Sequence, residues 1–279
     1  MLVFMNDNPQ INSDQPYSIP DGVRVYAIGD IHGHLAPLQE MHLKIDEHLN
    51  ANPVDKAYIV YLGDYVDRGP DNMAIIERLS QMPVIEGHIE RVFIKGNHEW
   101  GMQGFMEQPL IFGAEYLKCG GLDTILSYGV ELPDHVTHEA ICKREILPAE
   151  YERLSSAFNK KVPQHHVEFL NNLDLYRQIG GYVFVHAGIK PGVALEMQNS
   201  QDLMRIRHVF SDDARDHGFR VVHGHQIFDD VQITPNRISV DTGFYEKGVL
   251  SCVVLEGNNE EIIDVRKEID QPWTLPNNL

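Results

Sequence analysis

Short continuous apolar runs alternate along the first third of the chain with segments whose apolar residues recur at helical spacing. The runs at Val23 to Ile28 and Ala57 to Leu62 predict buried strands, and Arg91 to Ile94 predicts a third. Between them, Leu35 to Leu49 and Met73 to Leu79 are amphipathic in a helical pattern. This alternation of strand and helix predicts an α/β fold.

Polar side chains that can bind a metal or an anion follow each of these three strands. The strands are followed by Gly-Asp-Ile-His-Gly, Gly-Asp-Tyr-Val-Asp-Arg-Gly and Gly-Asn-His-Glu, respectively. Strand ends are where α/β proteins place their chemistry. In the middle motif, Asp64 and Asp67 beside Arg68 suit a metal site that also handles an anion, because carboxylates bind hard cations and guanidinium groups bind phosphate. A strand and turn with a surface ion pair is the alternative for that motif taken alone.

The pattern changes in the second part of the chain. The sequence of residues 101–177 predicts helices and loops, and we predict a mainly helical insertion there. Strands resume at Tyr182 to Val185 and Arg220 to Val222, followed by His-Ala-Gly and His-Gly-His. Three later segments alternate cleanly and predict antiparallel strands of a closing sheet: Arg237 to Val240, Val249 to Leu255 and Glu261 to Val265.

The domain organisation follows from these patterns and from the ends of the chain. Residues 1–18 are rich in Asn, Asp, Gln and Pro and predict a loose tail, and residues 271–279 predict a second, short tail. Residues 19–270 are predicted to form a single domain, which is consistent with a length of 279 residues.

Composition narrows the class of protein. A hydrophobic content of 43% is typical of a globular chain, and a net charge of −18 argues against a nucleic-acid polymer as partner. The three cysteines are widely spaced and odd in number, which fits a reduced compartment. The first residues lack the pattern of a signal peptide and no apolar run has the length of a membrane span, so we expect a cytoplasmic protein without a membrane partner.

Six side chains at the strand ends form a set of oxygen and nitrogen donors without a thiolate, which suits Mn, Fe, Zn, Co or Ni. Six donors are too many for one catalytic ion and suit two ions that share a carboxylate, about 3.5–4 Å apart. The candidate metal ligands are Asp30, His32, Asp64, Asn97, His186 and His225.

Five motifs occur in a fixed order along the chain: GDIHG at 29–33, GDYVDRG at 63–69, GNHE at 96–99, HAG at 186–188 and HGH at 223–225. With these motifs the chain resembles the calcineurin-like metallophosphoesterases, in particular the phosphoprotein phosphatase branch and its bacterial serine/threonine phosphatases. The resemblance implies a four-layer α/β/β/α sandwich, in which two mixed β-sheets are flanked by helices and the metal site lies at the C-terminal ends of strands.

The resemblance also implies how two divalent metal ions are held. Asp30, His32 and Asp64 would bind the first ion, and Asp64 would bridge to the second. Asn97, His186 and His225 would complete the second site. Mn is the expected metal, with Fe, Zn, Ni or Co as alternatives. A hydroxide that bridges the ions would attack phosphorus in line.

The remaining roles implied by the resemblance concern substrate and proton transfer. Arg68 and Arg207, with Asn97, would bind the phosphoryl group. His98 would protonate the leaving group, and Asp67 would hold that imidazole in its useful tautomer. A turn ion pair is the alternative role for Asp67 and Arg68. The alternative for Arg207 is a solvent-exposed arginine on a helix. Arg205 lies close enough in sequence to be the substrate-binding arginine in its place.

The sequence therefore predicts a metal-dependent phosphomonoesterase that acts on phosphoserine and phosphothreonine, or phosphotyrosine, in a phosphoprotein or phosphopeptide. Ile227 stands where phosphodiesterases carry a further histidine, which favours monoesters. The alternative function is a dinucleoside tetraphosphate hydrolase, and a third is a non-catalytic scaffold with this fold. The oligomeric state stays open. His42, His165 and His166, among other histidines, are expected on the surface, and Phe105 to Tyr116 in the core.

Overall fold

A computed structural model describes residues 17–269 and Trp273. The predicted tails at 1–18 and 271–279 therefore lie outside the described residues except at residues 17, 18 and 273. The strands, in chain order, are β1 (Val23–Ile28), β2 (Lys56–Tyr61), β3 (Ile85–Glu86), β4 (Ile89–Phe93), β5 (Tyr176–Ile179), β6 (Tyr182–Val185), β7 (Arg220–His223), β8 (Gln232–Ile233), β9 (Arg237–Ser239), β10 (Val249–Glu256) and β11 (Asn259–Arg266).

Helices lie between five of the ten pairs of consecutive strands. They are α1 (Leu35–Ala51), α2 (Asn72–Ser80), α3 (Asn97–Glu107), α4 (Pro109–Tyr116), α5 (Leu122–Ser127), α6 (His138–Cys142), α7 (Pro148–Asn159), α8 (Gln164–Asn171), α9 (Ser200–Arg205), α10 (His208–Ser211) and α11 (Phe244–Lys247). A π-helical turn at Leu117–Gly121 joins α4 to α5, and a 3₁₀ turn forms at Leu195–Met197.

The first sheet has the strand order β11-β10-β1-β2-β4-β3. Its centre is parallel, and the register pairs Ile28 with Tyr61 and Tyr61 with Phe93, so β1, β2 and β4 end level with one another. The polar motifs that follow these three strands consequently emerge side by side at one edge of the sheet.

The second sheet has the order β5-β6-β7-β9-β8, in which β6, β7 and β9 are parallel. The prediction of three closing antiparallel strands is correct for β10 and β11, which pair antiparallel in the first sheet. β9 also has an antiparallel neighbour, β8, but it does not lie in the same sheet as β10 and β11. β9 belongs to the other sheet and pairs parallel with β7. An alternating pattern of apolar and polar residues identifies a strand. It does not specify which strand pairs with it, because tertiary structure decides the pairing.

Each central strand contributes to two layers of the core. In β1, Val25 and Ala27 point between the two sheets, whereas Tyr26 and Ile28 point towards the helices. The layer between the sheets also contains Val60, which is fully buried. The two mixed sheets with helices on their outer faces confirm the predicted sandwich.

Residues 101–177 contain helices α4 to α8, and these pack mainly among themselves and against α2 and α3. Phe105, Tyr128 and Phe158 are buried together there, with ring centroids 5.2–6.4 Å from Phe158. The division of the chain into one domain with a helical insertion stays a prediction. Among the described residues, no helix has the length and apolar character needed to cross a membrane.

Two histidines expected on the surface are buried. The His42 ring contacts the Tyr61 hydroxyl at 2.9 Å, and burial lowers the pKa of His42 to about 4. His166 is fully buried against Tyr128. The expectation failed because tertiary packing decides which polar positions of a helix are covered.

We expect Val60→Ala to lower the free energy of unfolding by about 2 kcal/mol, because it removes two methyl groups from the layer between the sheets. Val209→Ala makes the same chemical change at a residue that is 68% exposed and should shift stability by less than about 0.5 kcal/mol. Urea unfolding followed by circular dichroism measures both; equal effects would contradict the placement of Val60.

Candidate active site and metal centre

Five of the predicted site residues have a backbone conformation that L residues rarely adopt. The φ angles are 44° at His32, 51° at Asp64, 75° at Asp67, 71° at Arg68 and 64° at His225. Among the described non-glycine residues only one other has a positive φ. Such conformations persist only where surrounding contacts enforce them, and they concentrate at functional sites.

At Asp64, the contacts that hold this conformation include Glu99, the last residue of the GNHE motif. Its fully buried carboxylate accepts hydrogen bonds from the backbone N–H groups of Asp64 (2.9 Å), Tyr65 (2.7 Å) and Gly96 (2.9 Å). Burial, followed by the nearby Asp64 charge, raises the pKa of Glu99 to about 7. Sequence reasoning assigned no role to Glu99, although its position inside a recognised motif was a signal.

Close backbone packing explains the glycines of two motifs. A Cβ on Gly96 would overlap the Asp64 carboxylate and backbone nitrogen. A Cβ on Gly224 would overlap the Asp30 carboxylate. Glycine is therefore required where the loops approach one another.

Asp64 lies at the centre of the predicted metal ligands. Its Oδ2 is 3.7 Å from His32 Nε2 and 3.3 Å from His186 Nε2. Asp64, His186 and His225 offer ligand atoms that all lie within 4.8 Å of one another, and Asp64, His32 and His98 form a second such group. A carboxylate that belongs to both groups has the position that a bridging ligand requires.

The other two predicted ligands join the same cluster. Asn97 Oδ1 is 3.0 Å from His186 Nε2, and the Asp30 carboxylate accepts the backbone N–H of His225 at 3.1 Å. Burial and the neighbouring Asp241 carboxylate raise the pKa of Asp30 well above its usual range. Burial also raises the pKa of Asp241 to about 6. All six predicted ligands are thus brought together, although their metal-binding roles stay predictions.

The donor set fits divalent cations. His32 Nδ1 donates to the Val66 carbonyl at 2.9 Å and His186 Nδ1 donates to the Leu62 carbonyl at 2.8 Å, which directs the Nε2 atom of each ring into the cluster. His225 Nε2 is buried and has no hydrogen-bond partner among the residues that the structure describes. A buried polar atom with no partner is unfavourable unless a ligand reaches it.

The charged groups of the cluster shift one another's pKa values. Burial alone would raise the pKa of Asp64, but His186 and His98 outweigh it and hold that pKa well below its usual range. Burial would likewise lower the pKa of His186, yet the Asp64 and Asp30 carboxylates raise it to about 10. Burial and His186 lower the pKa of His225 to about 2, so its imidazole is neutral, the form that binds metal.

The predicted proton donor is held as expected for that role. His98 Nδ1 donates to Asp67 Oδ2 at 2.6 Å, which leaves Nε2 directed away from Asp67. Asp67 is fully buried and also accepts a hydrogen bond from the Thr124 hydroxyl. Its backbone N–H donates to Asn72 Oδ1 at 2.7 Å. Sequence reasoning missed Thr124 and Asn72, because only the tertiary structure brings Thr124 to this loop.

Arg68 lies between the metal ligands and the proton donor. Its guanidinium donates to His32 Nε2 at 2.8 Å and to His98 Nε2 at 3.0 Å. It also stacks on Tyr245, 4.3 Å from the ring centroid, and lies 5.4 Å from the centroid of Trp273. A cation on His32 and a proton on His98 Nε2 both require Arg68 to release these nitrogens, which frees the guanidinium for an anionic substrate.

A groove with a volume of 420 Å³ opens beside these groups. Asn97, His98, Arg68 and Arg207 line one part of it, and the other part is lined by Trp100, Ile111, Phe112, Tyr116 and Arg205. The expectation that the aromatic residues of Phe105 to Tyr116 belong to the core holds for the buried Phe105. Phe112 is half-buried, packs against the same core and also lines the groove.

The model of the calcineurin-like phosphoesterase family matches residues 23–246. The chain belongs to this family. The recognition made from the five motifs is therefore confirmed, and the protein is a hydrolase of the metallophosphoesterase superfamily. The family uses a dinuclear metal centre, and the clustered donors described above can hold one.

Two curated relatives are named as nucleotide hydrolases. The asymmetrical bis(5'-nucleosyl)-tetraphosphatase PrpE of Oceanobacillus iheyensis is 24% identical over 172 residues, which cover 60% of this chain and 57% of that protein. The symmetrical bis(5'-nucleosyl)-tetraphosphatase of Legionella pneumophila is 35% identical over 100 residues, or 36% of this chain and 30% of that protein. The matches thus span less than two thirds of either relative.

A solved structure shares the fold of this phosphoesterase. A protein provisionally named a diadenosine tetraphosphatase superposes with a TM-score of 0.55 at 18% identity, over 86% of this chain and 93% of that one. Similarity at this level describes the fold and not the substrate.

If Asp64 is the shared ligand of this phosphoesterase, Asp64→Asn should reduce the bound metal from about two equivalents per chain to one or fewer, because the amide carries no charge. Elemental analysis after loading with Mn and desalting measures this. Asp229→Asn is the matched control, since the side chain of Asp229 is 92% exposed and bonds only to Lys247. Two tightly bound ions in Asp64→Asn would refute the bridging role.

Proposed function

We propose that this metallophosphoesterase hydrolyses dinucleoside tetraphosphates. The observation that carries the proposal is the groove, which joins the phosphate-binding groups of the active site to an aromatic surface. Its volume of 420 Å³ lies in the range of small-molecule sites. The two relatives named as bis(5'-nucleosyl)-tetraphosphatases support the same substrate class.

The inner part of the groove suits a polyphosphate chain. Arg68 and Arg207 both line it, and guanidinium groups bind phosphoryl oxygens with two parallel hydrogen bonds. The whole chain carries a net charge of −18, so these arginines form a local positive site in a negative field. An anionic substrate is therefore directed to this part of the surface.

The outer part of the groove suits a nucleobase. The Trp100 and Phe112 rings meet edge to face with centroids 4.7 Å apart, and the Arg205 guanidinium lies 4.6 Å from the centroid of the Trp100 ring. Ile111 beside them is 72% exposed. Flat bases stack on aromatic rings and on guanidinium groups, so this surface offers contacts that inorganic phosphate does not use.

The protein's own side chains supply orientation and a proton. Arg68 and Arg207 would hold the phosphoryl group, and His98 would donate a proton from Nε2 to the departing oxygen while Asp67 and Thr124 fix its ring. When bound, two divalent cations would neutralise phosphoryl charge and make water a better nucleophile. The leaving group from a tetraphosphate is itself a nucleotide phosphate.

Phosphoprotein hydrolysis, predicted from the motifs, uses the same inner groups and has no need of the aromatic surface. We expect a kcat/KM for diadenosine tetraphosphate at least tenfold above that for a phosphoserine or phosphotyrosine peptide. Chromatography of the products, with Mn present, measures this ratio. Preference for a phosphopeptide would refute the proposal in favour of a protein phosphatase.

In the same assay, Trp100→Ala should raise KM for the dinucleotide by roughly 5- to 100-fold, because base stacking contributes about 1–3 kcal/mol. Hydrolysis of p-nitrophenyl phosphate should be unchanged. Leu110→Ala is the control, since Leu110 is 57% exposed on the same helix as Phe112 and outside the groove. An equal loss with both substrates would mean that Trp100 supports the fold and not the base.

His98→Ala should separate the two leaving groups. A serine alkoxide is a strong base and needs a proton to leave. Loss of the general acid should therefore lower kcat for a phosphoserine peptide by roughly 10²–10⁴-fold. A nucleotide phosphate has a pKa near 6 and leaves with less help, so we expect a loss of less than about 10²-fold with diadenosine tetraphosphate. Equal losses with both substrates would contradict the role of His98 as proton donor.

A further inference from the structure

A second cluster of metal-ligand side chains lies outside the active site, where α2 packs against α8. The Glu77 carboxylate oxygen Oε2 is 2.8 Å from His165 Nε2 and 2.7 Å from His166 Nε2. The three ligand atoms all lie within 4.8 Å of one another. Neither the motifs nor the proposed activity uses any of these residues.

The convergence of the two imidazoles is unusual for consecutive helical residues. Neighbours on a helix point about 100° apart, yet His165 and His166 in the first turn of α8 both direct Nε2 at one oxygen. Their ring centroids are 4.5 Å apart and the rings are nearly perpendicular. Two helices separated by almost ninety residues of sequence thus supply three donors to one point.

The surroundings of His166 resemble those of a metal-bound imidazole. Its side chain is fully buried, and Nδ1 is 2.9 Å from the hydroxyl of the buried Tyr128, whose ring meets it edge to face. Because a hydroxyl can accept as well as donate, Nδ1–H can donate to Tyr128 and leave Nε2 free for a cation. Metal-binding histidines are typically fixed in this way through their second nitrogen.

The charge of the cluster also suits a cation. Hydrogen bonds from His165 and His166 lower the pKa of Glu77, so the carboxylate is ionised at neutral pH. Burial lowers the pKa of His166, which favours the neutral imidazole that a metal requires. The Glu77 and His165 side chains are 41% and 46% exposed, so water can complete the coordination from the open side.

We propose that Glu77, His165 and His166 form a third divalent-metal site, selective for zinc-like ions, that fastens α8 to α2. Two imidazole nitrogens and one carboxylate oxygen are typical zinc ligands, and they also accept Ni and Co, whereas Mg and Ca prefer oxygen alone. The site does not depend on the proposed nucleotide activity.

The position of the site explains what a bound ion would do. α2 begins at Asn72, whose side chain accepts the backbone N–H of Asp67 in the active-site loop. α8 belongs to the helical segment that packs beside it. An ion shared between the two helices would therefore stabilise the attachment of that segment to the helix behind the loop.

Metal counting of the full chain tests this directly. After loading with zinc chloride and desalting, His165→Ala should hold one zinc equivalent fewer than the wild type. Glu77→Gln, which keeps the side-chain shape, should show the same loss. His138→Ala is the matched control, because that residue has a similar exposure of 40% and lies 3.6 Å from one carboxylate, Asp123.

Thermal unfolding gives a second measurement, in which ions bound at the active site do not affect the comparison of Tm values. Asp64→Asn and the double variant Asp64→Asn/His165→Ala carry the same active-site substitution. Any zinc that the active site retains therefore stabilises both proteins equally. Saturating zinc should raise Tm of the first by about 5–10 °C more than Tm of the second. Equal zinc content in wild type and His165→Ala, or an equal rise in Tm, would overturn the site and leave the cluster as two imidazoles hydrogen-bonded to one carboxylate.

Discussion

The arrangement of the active site depends on one buried carboxylate. Glu99 accepts hydrogen bonds from the backbone N–H groups of two separate loops, those of Asp64 and Tyr65 after β2 and that of Gly96 after β4. These bonds hold Asp64 at a positive φ and bring its carboxylate between His32 and His186. The level ends of the parallel strands place the loops side by side, and Glu99 fixes the distance between them.

Backbone strain and buried charge are concentrated in the same few residues. Positive φ angles at His32, Asp64 and His225 cost free energy that the surrounding sandwich offsets through ordinary burial between its sheets. The carboxylates and imidazoles of the cluster shift one another's pKa values in opposite directions, as at Asp64 and His186. The fold therefore brings the predicted ligands together in advance, and the rearrangement that binding requires is the release of His32 by Arg68.

The proposed substrate groove and the predicted catalytic groups come largely from different parts of the chain. The loops after β1, β2 and β4 hold the reacting groups, whereas α3 and α4 supply Trp100 and Phe112, and Arg205 comes from α9. A phosphoesterase can therefore change its substrate by altering the groove while its central cluster is preserved. This separation explains why the motifs alone favoured a phosphoprotein substrate and the groove favours a nucleotide.

The sequence by itself determined the family, the sandwich fold and the set of predicted ligands, because short strands followed by charged motifs leave a local pattern. Only the tertiary structure decided that β9 joins the second sheet and that Thr124 reaches Asp67. It also decided that His166 is buried beside Glu77. These features rest on contacts between residues far apart in sequence, and local periodicity carries no information about such partners.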